Sequence, residues 1–166
     1  TGVYTRPPQF LGANANSKRL QQIPHYFIAQ FDKELDLKDL TVKSDVGDIK
    51  LNKPIKCDSY EIKNDTGDIK VYSIDGGGVI ESDIGDIKCG IDGIKDDIDI
   101  VSNVGSVKLE FSRALAFKFK SDKQPDDIDI DFDKVSKDGD DFYGEYGTNP
   151  SYIIDVKSDI GDIDLQ

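Results

Sequence analysis

The sequence predicts an all-β chain folded as a single-stranded parallel β-helix, or β-solenoid, with about 18–20 residues per coil. Three observations predict it. A short motif returns along the chain, apolar residues alternate with polar ones, and the phase of that alternation changes at one glycine in every copy.

The motif reads Ser44-Asp45-Val46-Gly47-Asp48-Ile49-Lys50-Leu51 at its first appearance. It returns as Asn64-Asp65-Thr66-Gly67-Asp68-Ile69-Lys70-Val71 and as Ser82-Asp83-Ile84-Gly85-Asp86-Ile87-Lys88-Cys89. A looser copy is Ser102-Asn103-Val104-Gly105-Ser106-Val107-Lys108-Leu109, and the last is Ser158-Asp159-Ile160-Gly161-Asp162-Ile163-Asp164-Leu165. The first four glycines stand 20, 18 and 20 residues apart, and the final gap of 56 is close to three further periods.

Each copy supplies strand, corner and strand. Five residues before the glycine stand Val42, Ile62, Ile80, Ile100 and Val156; one before stand Val46, Thr66, Ile84, Val104 and Ile160. Two after stand Ile49, Ile69, Ile87, Val107 and Ile163, and four after stand Leu51, Val71, Cys89, Leu109 and Leu165. Period-two alternation means strands with one buried face. On this reading all four columns point inward. Because the apolar offsets are odd before the glycine and even after it, glycine and the Asp or Ser that follows are spent on the corner. Glycine suits that place because it accepts backbone angles other residues resist. Coils then stack as parallel strands about 4.8 Å apart. Each buried Ile, Val or Leu contributes roughly 1.5–3 kcal/mol against a comparable ordering cost, so no coil folds alone. Asp48, Asp68 and Asp86 form a carboxylate column with Lys50, Lys70 and Lys88 beside it. Exposed pairs contribute little, so the stripe reads as solubility and protection against lateral aggregation.

From Phe111 to Tyr152 the motif decays. Leu115, Phe117 and Phe119 alternate with Ala116 and Lys118, and Ser121-Asp122 stands where a corner is due. Ile128, Ile130 and Phe132 alternate with Asp129 and Asp131 and read as another strand. Ser136 to Pro150, with Gly139, Gly144 and Gly147, reads as a loop. Tyr152, Ile154 and Val156 lead into the final coil, whose open edge, Ile160 to Leu165, is guarded by Asp162 and Asp164. Residues 1–34 read as an N-terminal tail and cap or first irregular coil, and residues 35–166 as the β-solenoid domain. Within Ile23 to Leu40, Phe27, Phe31 and Leu35 fit one face of a short helix after Pro24, whereas Leu35, Leu37 and Leu40 suit an imperfect coil.

The Ser-Asp-x-Gly-Asp-Ile corners, and the closing Tyr-x-Ile-x-Val-x-Ser-Asp-Ile-Gly-Asp-Ile after a Gly-rich stretch, resemble a bacterial family of β-solenoid domains named for adhesins and of undefined function. The resemblance covers about Leu35 to Gln166. That family commonly carries Ser or Thr where this chain has Asp or Val before the glycine, and Ser106 replaces Asp after Gly105. The resemblance implies a right-handed β-helix in the bacterial cell envelope or outside the cell. It supplies no catalytic residue.

Composition narrows function by exclusion. The formal net charge is −12, which disfavours nucleic acid and anionic membrane surfaces. No stretch approaches the ~18 apolar residues of a membrane span, so the domain itself is expected not to insert. The chain opens at Thr1 and contains no Met; the expectation is a trimmed or mature piece whose upstream signal or anchor has been removed.

No catalytic, cofactor-binding or metal residue is expected, and no cofactor. The carboxylates sit in repeat columns, as on a solvated face, whereas a catalytic pair for polysaccharide hydrolysis should break the repeat. Asp126, Asp127, Asp129, Asp131, Asp133, Asp138, Asp140 and Asp141 offer hard oxygen ligands for calcium, yet the spacing matches neither an EF-hand loop nor a calcium-binding roll. His25, the single histidine, stands beside Pro24 and Tyr26 as a cap or surface residue. Cys89 takes an inward place, Cys57 a return strand, and both are expected to be thiols. The one candidate recognition surface is Phe142, Tyr143, Tyr146 and Tyr152 around the Gly-rich stretch. Aromatics on an irregular segment beside a regular scaffold either cover that segment or contact a partner. The functional expectation is a non-catalytic surface or envelope scaffold, adhesin-like, for a protein or polysaccharide ligand. A tethered domain that senses or assembles envelope components is the second possibility, and a carbohydrate-active enzyme a distant third.

Overall fold

The computed structural model describes residues 17–21, 29–30 and 35–166. Pro24-His25-Tyr26, Phe27 and Phe31, with the short helix expected there, lie outside the described residues. Among the described residues, fifteen strands form one continuous sheet wound on itself. In chain order they are β1 (Ser17–Gln21), β2 (Ala29–Gln30), β3 (Leu35–Asp36), β4 (Asp39–Val46), β5 (Ile49–Leu51), β6 (Ile55–Thr66), β7 (Ile69–Ile84) and β8 (Ile87–Val104). There follow β9 (Val107–Phe111), β10 (Phe117–Ser121), β11 (Asp127–Ile128), β12 (Lys134–Asp138), β13 (Asp141–Tyr146), β14 (Ile153–Ile160) and β15 (Ile163–Leu165).

Parallel stacking gives the β-solenoid its faces. Before the corner the ladder runs β1, β4, β6, β7, β8, β14, β10; after it, β2, β5, β7, β8, β9, β15, β11. A third ladder carries the return, through Leu35, Ile55, Ile74 and Ile91. Strands β1 and β2 pair in this register with β4 and β5, which carries the coil stacking upstream of Leu35.

The core is the set of inward columns. Val42, Ile62, Ile80, Ile100 and Val156 are fully buried, as are Ile49, Ile69, Ile87, Val107 and Ile163. Leu51, Val71, Cys89, Leu109 and Leu165 line the same interior. Stacked β-branched side chains suit this role because each covers its neighbour along the pleat.

One of the four expected inward columns faces outward. Val46, Thr66, Ile84, Val104 and Ile160 are exposed, and the buried place two residues earlier belongs to Ser44, Asn64, Ser82, Ser102 and Ser158. The corner begins before the glycine: the Asp or Asn and the β-branched residue that follows it both face outward. A small polar side chain is then required inside, because the corner carbonyls point where only a side-chain donor can meet them.

The end of the solenoid also differs. The final copy does not lie several coils beyond Gly105. Strands β14 and β15 stack directly on β8 and β9, with Ile160 opposite Val104 and Ile163 opposite Val107. Residues 112–152 are an excursion whose β10 and β11 form the next layer outward, covering β14 and β15. The edge from Ile160 to Leu165 is therefore paired over its second half: the Asp126 amide donates to the Ile163 carbonyl, Asp164 faces Asp127 and Leu165 faces Ile128.

Ser136 to Pro150 is not a loop but most of an antiparallel hairpin, β12–β13, whose β13 pairs with β10. Gly139, at φ 63°, takes the first place of a two-residue turn. Gly144 leaves room for a ring, since a Cβ there would stand 2.6 Å from Phe132. The glycines that suggested a loop thus serve a turn and a close packing. The strand expected through Phe132 stops at Ile128 because β15 ends at Leu165. Ile130 and Phe132 instead pack on the cap.

Candidate functional site

Two surfaces bear on function. The first is the cap formed by β10, β13 and β12. Phe142 is buried, 5.9 Å from Phe132 and 6.1 Å from Phe119 between ring centroids, and so is withdrawn from any partner. Its position two residues before Gly144 places it on the inner face of β13. Tyr146 is half-buried against Phe117 at 5.5 Å, and Phe117 stacks on Phe111 at 4.6 Å. Tyr152 is half-buried, and its carbonyl accepts from the Lys118 amide. Tyr143 faces the other way. Its hydroxyl donates to Asp141 at 3.1 Å, and that bond to a carboxylate holds the phenol above its ordinary range. With Lys118, Lys134, Val135, Ser136 and Glu145, Tyr143 lines an open depression of about 380 Å³ crossed by the 2.6 Å Lys134–Glu145 ion pair. Of the four aromatics, Phe142 is buried and Tyr146 packs on Phe117, whereas the half-buried Tyr143 lines the depression.

The second surface is the corner edge. Gly47, Gly67, Gly85, Gly105 and Gly161 all adopt positive φ, between 117° and 143°. They also stack on one another. A Cβ on Gly67, Gly85, Gly105 or Gly161 would stand 2.1–2.4 Å from the carbonyl oxygen of the corner glycine beneath it. The inward polar column closes each corner. Ser82, Ser102 and Ser158 donate to the carbonyl three residues on, and Asn64 spans two coils, donating at 2.8 Å to both Gly47 and Gly67. At the outermost corner the ammonium of Lys123 donates to the Gly161 carbonyl.

The carboxylates after the glycine are part of the same construction. Asp48 accepts the amide of Asp68, Asp68 that of Asp86, and Asp86 that of Ser106. Lys50 and Lys70 pair with the other oxygens of Asp48 and Asp68 at 2.8 and 3.1 Å. The Lys50 hydrogen bond is the main reason the Asp48 carboxyl lies below its usual range. What read as a solubility stripe therefore also ties each corner to the next.

Between the acidic columns runs the ladder that the sequence reading had placed inside. Its register is direct: Val46 opposite Thr66, Thr66 opposite Ile84, Ile84 opposite Val104, and Val104 opposite Ile160. Ile84 is 54% exposed and Ile160 65%. A signal for it was present: parity demands an inward residue three places before the glycine, and that place is always Ser or Asn.

The remaining candidates are dispersed or buried. Asp126 accepts the Ile163 amide and Asp133 the Gly147 amide, and no group of three or more metal-ligating side chains occurs among the described residues. Cys57 and Cys89 are free thiols in the core, where burial pushes them up to about 11 and about 12. Among the described residues no helix is long and apolar enough to cross a membrane.

These features define a single-stranded β-solenoid repeat domain with glycine corners, closed at its C-terminal side by an inserted aromatic cap. Within that class the chain belongs to the Toastrack DUF4097 family, whose family model matches residues 14–166. No curated protein and no solved structure matches it.

Proposed function

We propose that this domain is a non-catalytic binding scaffold of the bacterial cell envelope or surface, in the adhesin sense. The observation that carries the reading is the exposed ladder from Val46 to Ile160, held in line by direct parallel register from coil to coil. Aligned apolar side chains on a solvated edge are a feature of surfaces that meet partners. The carboxylates that a polysaccharide-cleaving β-helix would use are occupied here as acceptors for the amides of the adjoining corner, which favours a scaffold over an enzyme. The envelope assignment rests on the resemblance that the corner motif carries.

Protease shaving of intact source cells, followed by a blot for this domain, tests the location. Rapid loss is expected, with a cytoplasmic control untouched. Protection until the envelope is opened would refute surface display and favour the sensing or assembly role instead. Recovery in the cytosolic fraction would refute both.

A further inference from the structure

We infer that the corner ladder is the docking line for a cationic amphipathic helix of a protein partner. The inference rests on the scaffold reading and adds the chemistry of what is bound.

Shape gives the helix. The rungs Val46, Thr66, Ile84, Val104 and Ile160 repeat at the interstrand distance, about 4.8 Å, so the line is about 19 Å long. A helix presents one apolar row at a pitch of about 5.4 Å, and stays within reach of successive rungs over that length. An extended segment presents same-face residues about 6.6–6.8 Å apart and falls out of step after two or three.

Charge gives its sign. Asp45, Asp65, Asp83 and Asp159 flank the ladder on one side, and Asp48, Asp68, Asp86 and Asp162 on the other. Lys50 and Lys70 pair with Asp48 and Asp68, but Lys88 reaches away to Glu110 at 2.7 Å. Negative charge is therefore least neutralised beside Ile84, which is 54% exposed between Asp83 and Asp86; Ile160, 65% exposed, lies between Asp159 and Asp162, and Val104 between the neutral Asn103 and Ser106. A second copy would bring acidic columns against acidic columns on a chain of net charge −12, and an anionic membrane would be repelled in the same way. A helix with Lys or Arg on both sides of an apolar stripe satisfies the ladder and both columns at once.

The test uses the full chain and a synthetic helical peptide of Leu and Lys, about 18 residues long, or five turns, with leucines at i, i+3 and i+4 spacing. One control peptide carries Glu in place of Lys; another has the same composition scrambled to break the stripe. The Lys peptide should shift backbone amides along the corners from Val46 to Ile160 in the unsubstituted protein. The combined Ile84→Ser, Val104→Ser and Ile160→Ser substitutions, all at exposed positions, should weaken binding at least about tenfold, equivalent to 1.4 kcal/mol. Asp83→Asn with Asp159→Asn should weaken it severalfold and flatten its salt dependence. Equal binding of the scrambled or Glu peptide, amide shifts elsewhere on the molecule, or an affinity indifferent to the triple substitution would each overturn the inference. So would a dimer in sedimentation that the triple substitution dissolves, since the occupant would then be a second copy. None of these outcomes depends on where shaving locates the protein, so the two readings fail separately.

Discussion

Replacing a corner glycine tests the fold where its tolerance is least. In Gly85→Ala the new Cβ would stand 2.1 Å from the Gly67 oxygen, 2.5 Å from the Gly67 carbonyl carbon and 3.1 Å from the Asp68 nitrogen, at a φ of 140°. All three neighbours are backbone, so nothing can swing aside. The Gly67 amide is bonded to the Ile84 carbonyl at 2.8 Å, and the Ile69 amide to the Asp86 carbonyl at 2.9 Å. Relief of the overlap must stretch one or both. The backbone angle costs about 1–3 kcal/mol for a residue with a side chain, and each weakened hydrogen bond about 1 kcal/mol. The expected loss is about 2–5 kcal/mol, a large share of the ~5–15 kcal/mol typical of a domain. Gly139→Ala is the control, because that glycine also has positive φ, 63°, but nothing within 4 Å of the added Cβ. It should cost about 1–2 kcal/mol, the backbone angle alone. Urea unfolding followed by circular dichroism measures both. With a slope of about 2 kcal/mol per molar, the middle of the usual range, the midpoint should fall by about 1–2.5 M for Gly85→Ala and by about half of that or less for Gly139→Ala. Equal shifts would refute the claim that corner glycines are required by the coil beneath them as well as by their own φ.

Asn64 holds two corner carbonyls at once, so Asn64→Ala should cost about 2–3 kcal/mol, with the Gly47 acceptor left buried and that of Gly67 partly so. Asn64→Ser should recover part of this in thermal unfolding, because serine serves the equivalent place at Gly85, Gly105 and Gly161. Alkaline stability follows from the buried thiols. An unfolded thiol ionises near 9, whereas Cys89 stays neutral to about 12 in the fold, chiefly through burial. The folded pKa is raised, so the stability is whole below pH 9 and is lost as pH climbs toward 12; at about pH 10.5 the loss from this one group is about 2 kcal/mol. Cys89→Val, the residue that Val71 places in the same column, should reduce the fall in urea midpoint between pH 8 and 10.5. Cys57 and Tyr60, also raised mainly by burial, add to the slope in the same direction.

Much of this architecture was legible because a solenoid repeats its physics. The columns at Val42, Ile49 and Leu51 recur in every copy, and a period-two pattern that recurs at a fixed interval allows few folds. The exposed ladder was misread because Val, Ile and Thr signal strands by shape, whichever way they face. Parity was counted to the glycine, whereas the backbone had already begun to turn at Asp45. The position of the last coil was hidden for another reason. Distance along the chain from Gly105 to Gly161 says nothing about whether the intervening residues extend the stack or leave and rejoin it. The β12–β13 hairpin is obscured in the sequence because Gly144 is a glycine for the sake of a ring twelve residues earlier in the chain but adjacent in space, Phe132. Phe142 and Tyr143 illustrate the same limit: neighbours in sequence, they end on opposite faces of β13, and only the register with β10 says which is outside.

The aliphatic ladder is not something the corner itself requires. Thr66 occupies the same column as Ile84, in the same parallel register. Its carbonyl accepts from the Gly47 amide at 2.8 Å, as that of Ile84 accepts from Gly67 at 2.8 Å. The Thr66 corner has the same φ sign, a polar inward residue that donates to its glycine carbonyl as at Gly85, and the same carboxylate link to the next coil. A polar β-branched residue therefore meets every local demand of the position. Ile84 and Ile160 meet those demands no better, and they keep more than half of an isoleucine's surface in water, where burial would have contributed roughly 1.5–3 kcal/mol each. Inside the solenoid that energy is collected in every coil; on the corner it is left uncollected, at Ile84 between Asp83 and Asp86 and at Ile160 between Asp159 and Asp162. Aliphatic side chains kept in such a place answer to contacts outside the coil, which is why the ladder, and not the aromatic cap, is the surface assigned to a partner.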